Sequence, residues 1–221
     1  MSRRHAILAA ALLAPAAAAP AEAPGELRGE VVVVRRSVGS QVKGPEEAVV
    51  FLEDAPAAGE MPRGPFVVEQ VGKTFDPPVL IVPRGATVEF PNHDIYHHNI
   101  FSLSPSNAFD LGLYEPGATR SVTFEHPGIV ALYCNIHPQM LGYVVVVANP
   151  FFTRPAADGS FALRGVPPGK YHLVAWFPFG RTAREVVRVA PGQRTRVRLV
   201  VRERADASRH SRKDGSPYTA Y

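Results

Sequence analysis

Beyond residue 25, the apolar residues of this 221-residue chain come only in short runs or alternate with period two. Glycine or proline interrupts them every few residues, with 22 Pro and 18 Gly in all. A helix needs apolar positions three and four apart over ten or more residues, whereas alternation over four to eight residues marks a strand with one buried face. The pattern therefore predicts an all-β chain of sandwich or barrel type. Candidate strands are GEVVVV (29–34), AVVFLE (48–53), FVVEQV (66–71), VLIV (79–82), ATVEF (86–90), HNIFS (98–102), RSVTF (120–124), GIVALY (128–133) and GYVVVV (142–147). GSFAL (159–163), YHLVAW (171–176), REVVRV (184–189) and TRVRLVV (195–201) follow. The stretch 103–119 reads as the one long strand-free insert, with room for a helical turn.

The first residues follow a different rule. Arg3, Arg4 and His5 precede a 14-residue apolar run (6–19), and Ala19-Pro20-Ala21 has the small-x-small form of a cleavage site. Residues 1–21 are expected to be a signal peptide, too short to span a bilayer, and the mature chain to lie in a periplasm or outside the cell. The net charge of +4 falls to about +2 without Arg3 and Arg4, which leaves no nucleic-acid footprint. The polar segment 203–221 reads as a disordered tail.

An exported chain uses cysteines mainly in pairs, yet Cys134 is the only one here. A lone thiol in that setting is a reactive group, an intermolecular bridge, a metal ligand or a small buried hydrophobe. The neighbours favour a ligand: Cys134, His137 and Met140 follow one another at intervals of three, in a turn between GIVALY and GYVVVV. A short turn brings thiolate, imidazole and thioether to one point. Soft sulfur with imidazole suits copper, while a thioether is a poor zinc ligand. A fourth ligand has to come from elsewhere, and PNHDIYHHNIFSLS (91–104) offers His93, His97 and His98. His97 and His98 are adjacent at a strand start and point to opposite faces, so only one of them faces the site.

These residues resemble the cupredoxins. Val82, Gly85, Thr87, Val88, Phe90 and Asn92 match that family's V-x-x-G-x-T-V-x-F-x-N strand and loop. His98-Asn99 matches its upstream histidine, and Phe124, Gly128 and Cys134 match the approach to its cysteine. The C-x2-H-x2-M spacing is similar to the short ligand loop of amicyanin, and HN-x-FS with CNIH-x-x-M-x-GY resembles the plastocyanin-like methylamine-utilisation proteins. The resemblance covers 66–148 and implies a Greek-key β-sandwich with one type 1 copper. It implies His98, Cys134 and His137 as in-plane ligands and Met140 as a weak axial one. Asn99 would tie the upstream loop to the cysteine loop by hydrogen bonds. His93, His126, His172 and His210 are read as surface residues. The implied function is one-electron transfer by Cu(I)/Cu(II) cycling, with no enzymatic step. The implied partner is a c-type cytochrome or periplasmic oxidoreductase docking on an apolar patch of Ile136, Pro138 and Leu141. A copper carrier or sensor that does not shuttle electrons is the alternative.

Past Asn149-Pro150 the chain changes character. Asp158, Gly159, Phe161, Pro167, Gly169, Tyr171 and Leu173 resemble the second half of the carboxypeptidase regulatory-like β-sandwich, and Gly29, Val31, Ala48, Val50 and Leu52 its first half. On this reading 27–55 and 150–202 form a small second sandwich into which the middle segment is inserted. The alternative gives 27–55 to the middle sheet. Arg194, Arg196 and Arg198 alternate along the last strand as a solvated face that blunts an edge, or as a docking surface for an acidic partner.

Overall fold

The computed structural model describes residues 22–36, 44–204 and 212–216. The expected signal peptide and most of the expected tail lie outside the described residues. The chain is all-β. The strands run β1 (Gly25–Val34), β2 (Val49–Leu52), β3 (Phe66–Val67), β4 (Glu69–Val71), β5 (Thr74–Asp76), β6 (Val79–Pro83), β7 (Ala86–Pro91), β8 (His98–Ser102) and β9 (Phe109–Tyr114). They continue with β10 (Thr119–Phe124), β11 (Gly128–Tyr133), β12 (Leu141–Val147), β13 (Phe152–Thr153), β14 (Ser160–Val166), β15 (Gly169–Trp176), β16 (Gly180–Arg181), β17 (Ala183–Val189) and β18 (Arg194–Glu203). The described helices are two three-residue 3-10 turns, and none is long and apolar enough to cross a membrane.

Four sheets stack in layers. The outermost has the order β14-β1-β18-β16, and the next β13-β2-β15-β17. Then come the five-stranded sheet β6-β12-β11-β8-β9 and, last, β10-β7-β3. The chain from β6 to β12 passes back and forth between the last two sheets, which is Greek-key connectivity. β1 pairs with β14 and β18, and β2 pairs with β13 and β15, so the N-terminal strands hydrogen-bond to C-terminal ones.

Alternation explains the layering. On β2, Val50 and Leu52 face the core shared with β1, while Val49 and Phe51 face the five-stranded sheet. On β12, Val144 and Val146 enter the core of the middle sandwich, whereas Tyr143, Val145 and Val147 meet Val49, Phe51 and Trp176. A strand covered on both sides is apolar at every position, which is why GYVVVV is a continuous run. Each fully buried valine of this seam contributes about 1.5–3 kcal/mol.

Two sequence expectations are corrected. The 103–119 segment is not strand-free, because β9 runs through it and pairs with β8. Phe109 and Leu111 of β9 pack on the middle core. The register slips between Asn99 and Phe101, and Gly112 takes a φ of 68°, so the strand holds a break that reads as a turn in sequence. The tail does not begin at 203 either: β18 extends through Glu203, and 212–216 form a hydrogen-bonded turn.

Candidate metal centre

β11 ends at Tyr133 and β12 begins at Leu141, which leaves Cys134 to Met140 to cross one end of the sandwich. A hydrogen bond from Met140 N–H to the His137 carbonyl (3.0 Å) closes the turn. Cys134 and Met140 are fully buried in the middle core. His98 opens β8 from the neighbouring strand position and is also fully buried.

Three ligand atoms converge. His98 Nδ1 lies 3.1 Å from His137 Nδ1 and 3.9 Å from Cys134 Sγ, and the remaining edge, Cys134 Sγ to His137 Nδ1, is 3.6 Å. From these three edges, the point equidistant from all three atoms lies about 2.1 Å from each, a metal–nitrogen bond length. The triangle is therefore the size that a single trigonal ion requires. Met140 lies near His98 with its thioether in the same core. Two imidazoles, a thiolate and a nearby thioether form the donor set that suits copper.

His98 is buried at the start of β8, while His97, just before the strand, is exposed. His93 and His126 are exposed. His172, half-buried on β15, has its Nδ1 2.8 Å from Asp54 Oδ2, and His210 lies outside the described residues.

Asp94 is the residue that sequence reasoning missed. Its Oδ2 sits 2.7 Å from His98 Nε2, so the Nε2–H donates to the carboxylate and leaves Nδ1 as the lone pair facing the triangle. The carboxylate is itself held in place: the backbone N–H of Gly72 donates at 2.6 Å and that of Lys73 at 2.8 Å. Gly72 and Lys73 both have positive φ (60° and 56°), the two-residue turn geometry that closes the β4–β5 hairpin. Buried Asn92 shapes the loop between, donating to the Tyr96 carbonyl (2.8 Å) and accepting from Asp94 N–H (3.0 Å). Burial pushes the Asp94 carboxyl up, but the Lys73 N–H, the His98 ring and the Gly72 N–H outweigh it and hold it below the ordinary aspartate value. The available signal was an acid four residues before a candidate histidine ligand, since such a histidine needs an acceptor for its second nitrogen.

His137 is only partly buried. Burial lowers its pKa from the ordinary value, and the neighbouring His98 ring and Lys73 lower it further, which favours the neutral ring a metal requires. Tyr96 meets it edge-on at 6.2 Å between centroids, and Lys73 Nζ lies 4.1 Å over the Tyr96 ring. Of the expected patch, Ile136 and Pro138 are exposed and Leu141 is half-buried. Ile95, 81% exposed, and Tyr96, 44% exposed, project from the loop that carries Asp94 and were not foreseen.

Asn99 is buried beside His98, and its side-chain amide donates to Asp110 Oδ1 on β9 at 2.7 Å. A chain of hydrogen bonds continues from Asp110 to the cysteine loop. Asp110 Oδ2 accepts from Lys213 Nζ (2.6 Å), and Lys213 N–H donates to Asn135 Oδ1 (3.1 Å), next to Cys134. The tail thus joins the two ligand-bearing segments, a contact no local sequence pattern announces.

Amicyanin of Paracoccus denitrificans is 29% identical to this chain over 104 residues, spanning 46% of this chain and 79% of amicyanin. The fold is cupredoxin-like. Among solved structures, a purple cupredoxin from Nitrosopumilus maritimus is 26% identical, spans 37% of this chain and 99% of its own, and has a TM-score of 0.34. A reduced Cu(I) form of an amicyanin variant is 29% identical, spans 45% of this chain and 98% of its own, and has a TM-score of 0.36. No protein-family model matches the chain. In the cupredoxin-like sandwich the metal-sized triangle closes one end, between β8 and the β11–β12 turn.

Proposed function

We propose that this chain is an exported type 1 copper protein that carries single electrons. The carrying observation is the buried triangle of His98 Nδ1, His137 Nδ1 and Cys134 Sγ, whose edges of 3.1, 3.6 and 3.9 Å fit one ion. In this reading His98, His137 and Cys134 would hold the ion, with the Met140 thioether as a further, weaker donor. Copper in such a site supplies a one-electron Cu(I)/Cu(II) couple.

The protein's part is to hold the ligands in one arrangement for both oxidation states. Asp94 fixes the His98 ring, the β4–β5 turn fixes Asp94, and the walls of the two sheets keep Cys134 and Met140 from moving. This rigidity favours electron transfer, which needs little rearrangement of the ligands between the two oxidation states. His137 is the ligand nearest solvent, so electrons would pass at its edge, framed by Ile136, Pro138, Leu141, Ile95 and Tyr96. A small apolar surface of this kind suits a transient redox partner such as a c-type cytochrome or a periplasmic oxidoreductase. The signal-like leader supports a periplasmic or secreted location.

The same reading assigns 66–148 to the cupredoxin-like domain, inserted into a second sandwich made of 27–55 and 150–202. The pairing of β1 with β14 and β18, and of β2 with β13 and β15, supports this division. Rapid mixing of the Cu(I) protein with an oxidised c-type cytochrome tests the function. Electron transfer leaving copper bound to the protein supports it. Copper release with no reduction of the cytochrome would favour the carrier reading instead.

A further inference from the structure

The outer face of the β14-β1-β18-β16 sheet is unlike the rest of the surface. The other side of this sheet packs into its own core through Leu27, Val31, Leu163, Leu199 and Val201. The side chains between these point outward, away from all other layers. On β18 they are Arg194, Arg196, Arg198, Val200 and Arg202; β1 adds Arg28 and β14 adds Arg164. The outward acids on these three strands are Glu26 and Glu30, so six arginines less two glutamates give +4. Without Arg3 and Arg4 the chain nets about +2, less than this face alone. Positive charge is thus concentrated on one face rather than spread over the surface.

The arginines are also organised. Glu26 is a shared acceptor for Arg28 Nε (2.8 Å), Arg194 Nε (2.8 Å) and Arg164 Nε (3.3 Å), and Glu30 approaches Arg198 at 3.8 Å. Strand pairing puts Arg194 opposite Glu26, Arg196 opposite Arg28 and Arg198 opposite Glu30. Arg196 therefore stands beside Arg28, which Glu26 already holds, and an added anion could bridge the two guanidinium groups. Successive arginines on β18 repeat every ~6.6 Å along the strand, and strands lie ~4.8 Å apart, which makes a closely spaced array of guanidinium groups. Guanidinium matches phosphate oxygens in a bidentate fork, a fit that ammonium lacks. Val200 (39% exposed) and Val34 (36% exposed) add apolar groups to the same face.

We propose that this face docks on an anionic phospholipid surface, with the arginine lattice on the lipid phosphates and Val34 and Val200 at headgroup depth. A closely spaced array of forked donors suits a field of phosphates that can move laterally to meet it. Because the face is the far side of the outermost layer, docking leaves the β8 and β11–β12 end of the cupredoxin-like sandwich free for a redox partner.

The test is vesicle co-sedimentation of the mature chain at low salt, with phosphatidylglycerol–phosphatidylcholine vesicles against pure phosphatidylcholine. The expected result is binding to the anionic vesicles at least about ten-fold stronger than to neutral ones, lost at high salt because the charges are exposed. An R196E/R198E variant with unchanged circular dichroism and melting temperature should lose that binding. R196Q/R198Q, which removes charge without reversing it, should fall between. Equal sedimentation of the wild-type chain and the charge-reversed variant overturns the proposal. So does binding to polyglutamate with none to anionic vesicles, which would make the face a protein-docking surface.

Discussion

Replacing Asp94 with Asn probes the site without touching a ligand. The Asp94 carboxylate receives three hydrogen bonds, from His98 Nε2–H at 2.7 Å, Gly72 N–H at 2.6 Å and Lys73 N–H at 2.8 Å, and its side chain is only 10% exposed. Asparagine has the same shape but one oxygen, so its NH2 group must face a donor. If the oxygen takes the Oδ2 place, His98 and Lys73 keep their acceptor and only the exposed Gly72 N–H loses one; if it takes the Oδ1 place, the buried His98 ring and the Lys73 N–H both lose theirs. An unpaired buried group costs ~1–3 kcal/mol. Loss of a partner behind a ligating histidine typically lowers metal affinity ~10–100-fold, or ~1.4–2.7 kcal/mol. Competition for Cu(I) against a chelator at neutral pH measures the second quantity, and thermal unfolding of the copper-free protein the first. The pH dependence adds a sign. The Asp94 pKa is depressed in the folded protein, so its contribution is present above the ordinary aspartate value and is lost as pH falls through the folded value. Asp94→Asn should flatten that acid limb. An affinity within about two-fold of the wild type, together with an unchanged melting temperature, would refute the argument that Asp94 orients His98.

Other perturbations follow from the same geometry. His97→Ala should leave copper binding and colour intact because His97 is exposed, whereas His98→Ala should remove both; visible absorbance titration separates them. Trp176→Ala empties the seam where Trp176 meets Tyr143 at 4.9 Å between centroids, and should cost ~3–5 kcal/mol in denaturant unfolding. Glu26 is held down to about 2, first by Arg28, with burial opposing and Arg194 and Arg164 assisting. Its contribution to stability is therefore present above pH 4.5 and fades as pH falls toward about 2, and Glu26→Gln should remove that dependence in an acid titration of folding.

How much could be read from the sequence depended on the range of each interaction. Alternation in ATVEF and the continuous run GYVVVV gave strands because the periodicity of burial is a local property of the backbone. The spacing of Cys134, His137 and Met140 within one turn made the metal loop legible for the same reason. β9 was missed because Asp110 and Gly112 in FDLGLY look like turn residues, while its partner β8 absorbs the slip in register. Asp94 was missed because its role depends on where the Gly72–Lys73 turn lands, a distance of more than twenty residues along the chain. The Asn99 amide goes to Asp110, and the tail residue Lys213 extends that path to Asn135, a long-range link with no local signature. The lone thiol reads as an anomaly only until the three residues after it are counted.

In the proposed function, Cys134, His98 and His137 would together hold one copper ion, with Met140 as a weaker fourth donor. Addition of Cu(II) to the mature protein, followed by visible absorption and electron paramagnetic resonance, tests it most directly. The account predicts one equivalent bound, an intense thiolate-to-copper band and a narrow copper hyperfine splitting, all absent in Cys134→Ala. A colourless protein that binds zinc more tightly than copper, or a Cys134→Ala variant that keeps the band, would contradict it.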